Sequence, residues 1–202
     1  GDGGDRFRGG TNDDDIKGGD GIDTVVAAGN TDFELNDTQL TGRGTDALES
    51  IERGELSGGI SDNFLDASVF SGNVTLMGFS GGDRLLAGSG DDLLDGGRGE
   101  DVLTGNAGND TLAGGLDDDA LTGGEGADTF VLVDGEGTDT IADFEVGTDV
   151  LELRGGLSFG AIAIASSADS SAQIEVTGSN EILAILTGVD ATLLTANDFI
   201  AV

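Results

Sequence analysis

Between Gly78 and Val131 a large apolar residue returns at every ninth position: Leu85, Leu94, Leu103, Leu112, Leu121 and Phe130. Each sits in a short run bounded by Gly and Asp, next to Leu86, Leu93, Val102 or Val131 in four copies and otherwise among small or polar residues. One apolar side chain flanked by outward-facing residues predicts a short strand with a single inward position. Written as nonapeptides, the stretch reads GFSGGDRLL, AGSGDDLLD, GGRGEDVLT, GNAGNDTLA, GGLDDDALT and GGEGADTFV. Position six is always Asp: Asp83, Asp92, Asp101, Asp110, Asp119 and Asp128. Position one is Gly apart from Ala87, and position four is Gly apart from Asp117. A fixed short period marks a repeat architecture. Nine residues are too few for a helical repeat and enough for a turn plus a strand. Two units facing opposite ways make one coil. Stacked coils give two parallel sheets whose apolar rows cover each other. The predicted fold is all-β, a parallel β-roll.

The same register organises the rest of the chain. Gly9–Lys17 and Gly18–Val26 are two further copies with Asp14 and Asp23 at position six, and an incomplete copy before them carries Asp5. Because the chain opens inside a repeat, it is expected to be part of a longer polypeptide. Four segments follow: N-terminal repeats at 1–26, an irregular β segment with degenerate repeats at 27–77, the main roll at 78–152 and a cap at 153–202. Within 27–77 the register decays, with Asn63 standing where Asp is expected and another remnant near Asp46. Looser copies place Asp139 and Asp149 at position six after Val131. Beyond Leu153, strands are predicted at 157–165, 173–177, 181–187 and 198–202, with a short helix at 190–197. Repeat proteins need such caps to protect an open end.

Charge then changes the picture. Asp and Glu number 40 against 8 Lys and Arg, for a net charge of −32. Such acidity with few aromatics would ordinarily favour disorder; the ordered spacing of the acids argues for a fold instead. It also argues against nucleic-acid partners. No apolar run reaches the roughly 20 residues of a membrane span. With neither His nor Cys in the chain, a Ser-His-Asp triad, a Cys nucleophile, a disulfide framework and an ordinary zinc site are all excluded. The chain is read as having no enzymatic activity.

Stacking brings repeats two apart into line, so Asp83, Asp101 and Asp119 share one edge and Asp92, Asp110 and Asp128 the other. Carboxylates about 5 Å apart repel by roughly 3 kcal/mol at an effective dielectric near 20. A cation between them reverses the sign. Ca²⁺ suits the site because it takes six to eight oxygens and accepts turn carbonyls, whereas Mg²⁺ demands a tighter octahedron and keeps its waters.

These nonapeptides resemble the glycine-rich repeats of RTX (repeats-in-toxin) proteins, G-G-x-G-x-D-x-U-x with U large and apolar; Gly96–Thr104 and Gly123–Val131 match every fixed position. The resemblance implies a β-roll holding several Ca²⁺ ions between turns two repeats apart. It implies as ligands Asp83, Asp92, Asp101, Asp110, Asp119 and Asp128, with Asp5, Asp14, Asp23 and Asp139 as further members. Backbone carbonyls would come from the turns at Gly96, Gly99, Gly105, Gly108, Gly114, Gly123 and Gly126. Residues 126–153 look like the C-terminal flank of the serralysin-type and cyanobacterial branches. The ending Asp198-Phe199-Ile200-Ala201-Val202 resembles the acidic-then-apolar tail read by type I secretion machinery, which implies export without an N-terminal signal peptide and Val202 as the native C-terminus. The implied role is that of a secreted, extracellular or cell-surface structural module in a surface layer, sheath, matrix or filament, capable of self-assembly. The alternative is the export-and-folding module of a secreted enzyme or toxin.

Rival motifs fit less well. Asp134–Glu145 has acids at the first and twelfth positions of an EF-hand loop, but Asp139 stands where that loop needs Gly. Positions three and five do not repeat Thr or Asn, so no flat ice-binding row is formed.

Overall fold

The computed structural model describes residues 3–168, 170–179 and 181–202. Among these, nine strands form one sheet and twelve the other. The first sheet runs Arg6–Phe7, Thr24–Ala28, Arg53–Ser57, Asn73–Ser80, Leu93–Arg98, Thr111–Leu116, Thr129–Leu132, Val150–Leu153 and Phe199–Ala201, with every neighbouring pair parallel. In the main roll the second sheet stacks Phe64–Val69, Arg84–Leu86, Val102–Ala107, Ala120–Glu125 and Asp139–Ile141, again all parallel. The chain alternates between the sheets, so each nonapeptide supplies one strand and two make a coil. The chain is a parallel β-roll.

The register follows the repeat. Leu85 pairs with Leu103 and Leu103 with Leu121 on one sheet; Leu94 pairs with Leu112 and Leu112 with Phe130 on the other. All six are fully buried in one continuous core. Burying such a side chain contributes about 1.5–3 kcal/mol.

Residues 27–77 continue both sheets. Their departure from the period has two sources. Phe33–Asn36, Gln39–Thr41 and Thr45–Glu49 form an antiparallel meander inserted into the second sheet, between the strand at Phe64–Val69 and the strand at Asp15–Lys17. On the first sheet, Val25, at position eight of its repeat, lines up through Gly54 with Val74, whereas Leu94, also at position eight, lines up with Leu76. The slip is two residues. Because side chains alternate with period two, it leaves the same face inward, and Val25, Leu56, Val74 and Leu76 are all buried.

The C-terminal end is closed by an antiparallel meander of Ile162–Ser166, Ala172–Val176 and Ile182–Leu186, joined to the roll where Ile182–Leu186 pairs in parallel with Asp139–Ile141. Two expectations need correction. The first turn of the predicted 157–165 strand is a 3₁₀ turn at Phe159–Ala161, and the strand begins at Ile162. The predicted helix at 190–197 is replaced by two separate 3₁₀ turns, Ala191–Leu193 and Ala196–Asp198, with Leu194 extended between them. Asp190 and Thr195 accept backbone N–H groups of the following turns, and the Asp198 side chain returns to Thr195. Such side chains compete with helical backbone bonds and favour caps. No helix among the described residues is long and apolar enough to cross a membrane.

Candidate metal centre

Each position-six Asp from Asp83 to Asp128 ends a turn, and its strand begins at the next residue; Asp139 is itself the first residue of its strand. The side chain reaches back one coil: Asp101 Oδ1 accepts the backbone N–H of Asp83 at 2.6 Å, and Asp119 Oδ1 accepts that of Asp101 at 2.7 Å. On the other edge Asp110 Oδ1 accepts from Asp92 at 2.8 Å and Asp128 Oδ1 from Asp110 at 2.9 Å. Asp139 and Asp149 extend the two rows, taking the N–H groups of Asp119 at 3.3 Å and Asp128 at 3.0 Å. The ladder uses one oxygen of each carboxylate.

The second oxygen is left over. Oδ2 of Asp23, Asp83, Asp101, Asp110, Asp119 and Asp128 is buried without a hydrogen-bond partner. A buried acceptor without a partner costs about 1–3 kcal/mol, and more when charged. Burial pushes the carboxyl groups up, to about 7 for Asp101 and Asp110, about 6 for Asp119 and about 8 for Asp139, with neighbouring acids adding to the rise. For Asp83, Asp92 and Asp128 burial acts in the same direction. A divalent cation is the species that would satisfy these oxygens while keeping them ionised.

The turns supply neutral oxygens beside them. A methyl on Gly96 would collide with Asp101 Oδ2 and lie 2.6 Å from the Gly114 carbonyl oxygen; one on Gly105 would meet Asp110 Oδ2 and the Gly123 carbonyl oxygen, again at 2.6 Å. One on Gly78 would meet Asp83 Oδ2 and the Gly96 carbonyl oxygen at 2.5 Å. Position one is therefore glycine for room. Position four is glycine for conformation: Gly99, Gly108 and Gly126 have φ of 105°, 131° and 139°, values that L side chains resist. Asp117 adopts the same region at φ 85° and accepts the Gly99 N–H at 3.1 Å, so its turn keeps the shape.

Among the described residues, no three acidic side chains converge on one point. Coordination by side chains alone is thus absent. A carboxylate oxygen flanked by turn carbonyls is a donor set that fits calcium, whose sites mix both kinds of ligand.

At the N-terminal array, Asp23 is fully buried, while Asp14 is half-buried and Asp5 exposed. Asp23 Oδ1 accepts the Asp5 N–H at 2.7 Å. Two acids of the 27–77 segment join these rows: Asp46 Oδ1 accepts the Asp14 N–H at 3.1 Å, and Glu52 Oε2 accepts the Asp23 N–H at 2.9 Å. The spacings from Asp14 to Asp46 and from Asp23 to Glu52 are not multiples of nine; the repeat remnant signals Asp46 but not its row, and Glu52 carries no repeat signal.

Residues 1–34, 77–112, 95–130 and 104–141 match the RTX calcium-binding nonapeptide repeat. No curated protein sequence matches the chain. Similar solved structures include the extracellular lipase LipA of Serratia marcescens, with 16% identity and a TM-score of 0.41 over 99% of this chain and 38% of the lipase. Another is the AlgE6R3 subunit of the Azotobacter vinelandii mannuronan C5-epimerase, with 24% identity and a TM-score of 0.41 over 73% of this chain and 77% of that one. The chain thus spans well under half the length of the lipase. With its nonapeptides, its roll and its rows of buried Asp, the chain belongs to the RTX calcium-binding nonapeptide-repeat family and binds several calcium ions.

Proposed function

We propose that this chain is a calcium-folded structural module of a secreted protein, with the ions seated between turns two repeats apart. Asp83, Asp101, Asp110, Asp119 and Asp128 supply one carboxylate oxygen each, and Asp23 does so in the N-terminal array. Carbonyls of Gly96, Gly114 and Gly123 stand beside them. The observation that carries this reading is the set of six buried Oδ2 atoms without partners. Calcium supplies the positive charge that lets stacked carboxylates stay ionised in a dry interior.

A net charge of −32 opposes compaction where calcium is scarce. The chain is then extended enough to pass an export channel, and it folds where calcium is abundant. Folding is coupled to metal binding, as in other small metal-dependent domains. Outside the cell the roll acts as a spacer or a layer element. Its acids are used in the ladder and in calcium binding, and no catalytic role is assigned to them.

The test is far-UV circular dichroism of the chelated chain during calcium titration, with magnesium as control. A cooperative gain of β signal with calcium and none with magnesium is expected. A chain already folded in excess chelator would overturn the reading.

A further inference from the structure

The position-six aspartates are not equivalent, and the difference traces to one methyl group. Asp92 is as buried as the others, yet its Oδ2 has a partner: it accepts the Gly88 N–H at 3.1 Å, while Oδ1 takes the Val74 N–H at 2.6 Å. Among the six unbroken copies from Gly78 to Val131, its repeat is also the one whose position one is not glycine. At Gly78, Gly96, Gly105, Gly114 and Gly123 an added Cβ would run into the Oδ2 of that repeat's own Asp. Ala87 carries such a Cβ, is fully buried, and so excludes the carboxylate from that position.

The turn has changed with it. At positions two and four the neighbouring repeats hold a left-handed φ, as at Gly97 (107°), Gly99 (105°), Asn106 (75°) and Gly108 (131°). Gly88 and Gly90 do not adopt it. The Ala87 carbonyl is also engaged, accepting the Asn106 side-chain amide at 2.7 Å. N–H donors of the protein thus engage the two oxygens that would otherwise face an ion. The same closed pattern, an N–H four residues earlier donating to the side chain, occurs at Asn63 through Gly59 (2.7 Å) and at Asp149 through Glu145 (2.8 Å). Asn63 precedes Asp83 at one end of a row, and Asp149 follows Asp128 at the far end of the other.

We propose that position one decides which of repeats 78–131 take calcium, and that Ala87 closes the site of repeat 87–95, so that within these repeats the ions on that edge begin at Asp110. This inference rests on the assignment of position-six aspartates as ligands. The aspartates of repeats 78–131 then fall into two classes: Asp83, Asp101, Asp110, Asp119 and Asp128, whose Oδ2 lacks a partner, bind an ion, and Asp92, closed by an N–H of its own turn, is structural.

Equilibrium dialysis against saturating calcium, followed by metal analysis, would count the ions on the whole chain and on three variants. Asp110→Asn is expected to lose at least one ion per chain. Asp92→Asn is expected to keep the wild-type number, and Ala87→Gly to gain one. Circular dichroism at saturating calcium checks that each variant is folded. Loss at Asp92→Asn equal to that at Asp110→Asn, or no gain in folded Ala87→Gly, would overturn the proposal. A full complement of ions in Asp110→Asn would instead overturn the ligand assignment beneath it.

Discussion

The main roll and the C-terminal cap share the same two sheets but are held together differently. In the roll, each strand from Arg84–Leu86 to Ala120–Glu125 buries one large side chain, and the edges bury acids whose second oxygen lacks a partner. In the cap, Leu157, Ala172, Ile174, Leu183, Ala184, Leu186, Val189, Leu194 and Phe199 crowd into the end of the core. Its buried acid, Asp198, is fully used: Oδ1 accepts from Gly147 at 3.0 Å and Oδ2 from Thr195 at 2.7 Å. A thin core with orphaned carboxylates needs a cation. A thicker core with satisfied polar groups does not.

Removing calcium should break the comparison most visibly. In excess chelator, hydrogen exchange followed by mass spectrometry is expected to show loss of protection first across 83–132, with the antiparallel meander at 172–186 retaining more. Equal loss in both regions would mean that the cap has no stability of its own.

Core truncation comes next. Leu103→Ala is expected to cost about 2–5 kcal/mol. Leu103 pairs with Leu85 and Leu121, so the damage should spread along the row and raise the calcium midpoint. Leu183→Ala should cost a similar amount of thermal stability at saturating calcium and shift that midpoint less.

Acidification sharpens the same contrast. Carboxyls that titrate near 6 to 7 in the roll bind protons more readily than in the unfolded chain. In chelator they favour the roll at low pH, and that contribution is lost as pH rises through about 6 to 7. With calcium present, ions and protons compete for the same oxygens. The calcium midpoint measured by circular dichroism should therefore rise as pH falls from about 8 to about 6. A flat midpoint would show that the buried carboxylates are not the ligands.

The smallest effect belongs to the cap itself. Thr195→Ala removes one half of a capping box and should lower the melting temperature by the equivalent of about 0.5–2 kcal/mol, leaving calcium binding unchanged.

Much of this was legible in the sequence because each nonapeptide carries its own instructions. Gly at positions one and four, Asp at six and Leu at eight give turn, ladder and core in nine residues. The coil, the two edges and the pairing of Leu85 with Leu103 follow from counting alone. Counting fails where residues have been inserted. The meander at 33–49 places Asp46 in the row of Asp14, and the two-residue slip at Val74 leaves the apolar face intact and so leaves no trace in hydropathy. Position one held the subtler signal. Glycine there reads as a turn residue, while the structure shows it clearing space for a carboxylate. Only the geometry turns the single Ala87 from a neutral variation into a closed site. In the cap, the helix expected at 190–197 does not form because the side chains of Asp190, Thr195 and Asp198 take backbone N–H groups of their own turns.

The most direct test of the central claim is anomalous diffraction from crystals grown in calcium. The account predicts calcium peaks at coordination distance, about 2.3–2.6 Å, from Oδ2 of Asp83, Asp101, Asp110, Asp119 and Asp128, and none at Asp92. Peaks confined to exposed acids, with those buried oxygens left bare, would contradict it.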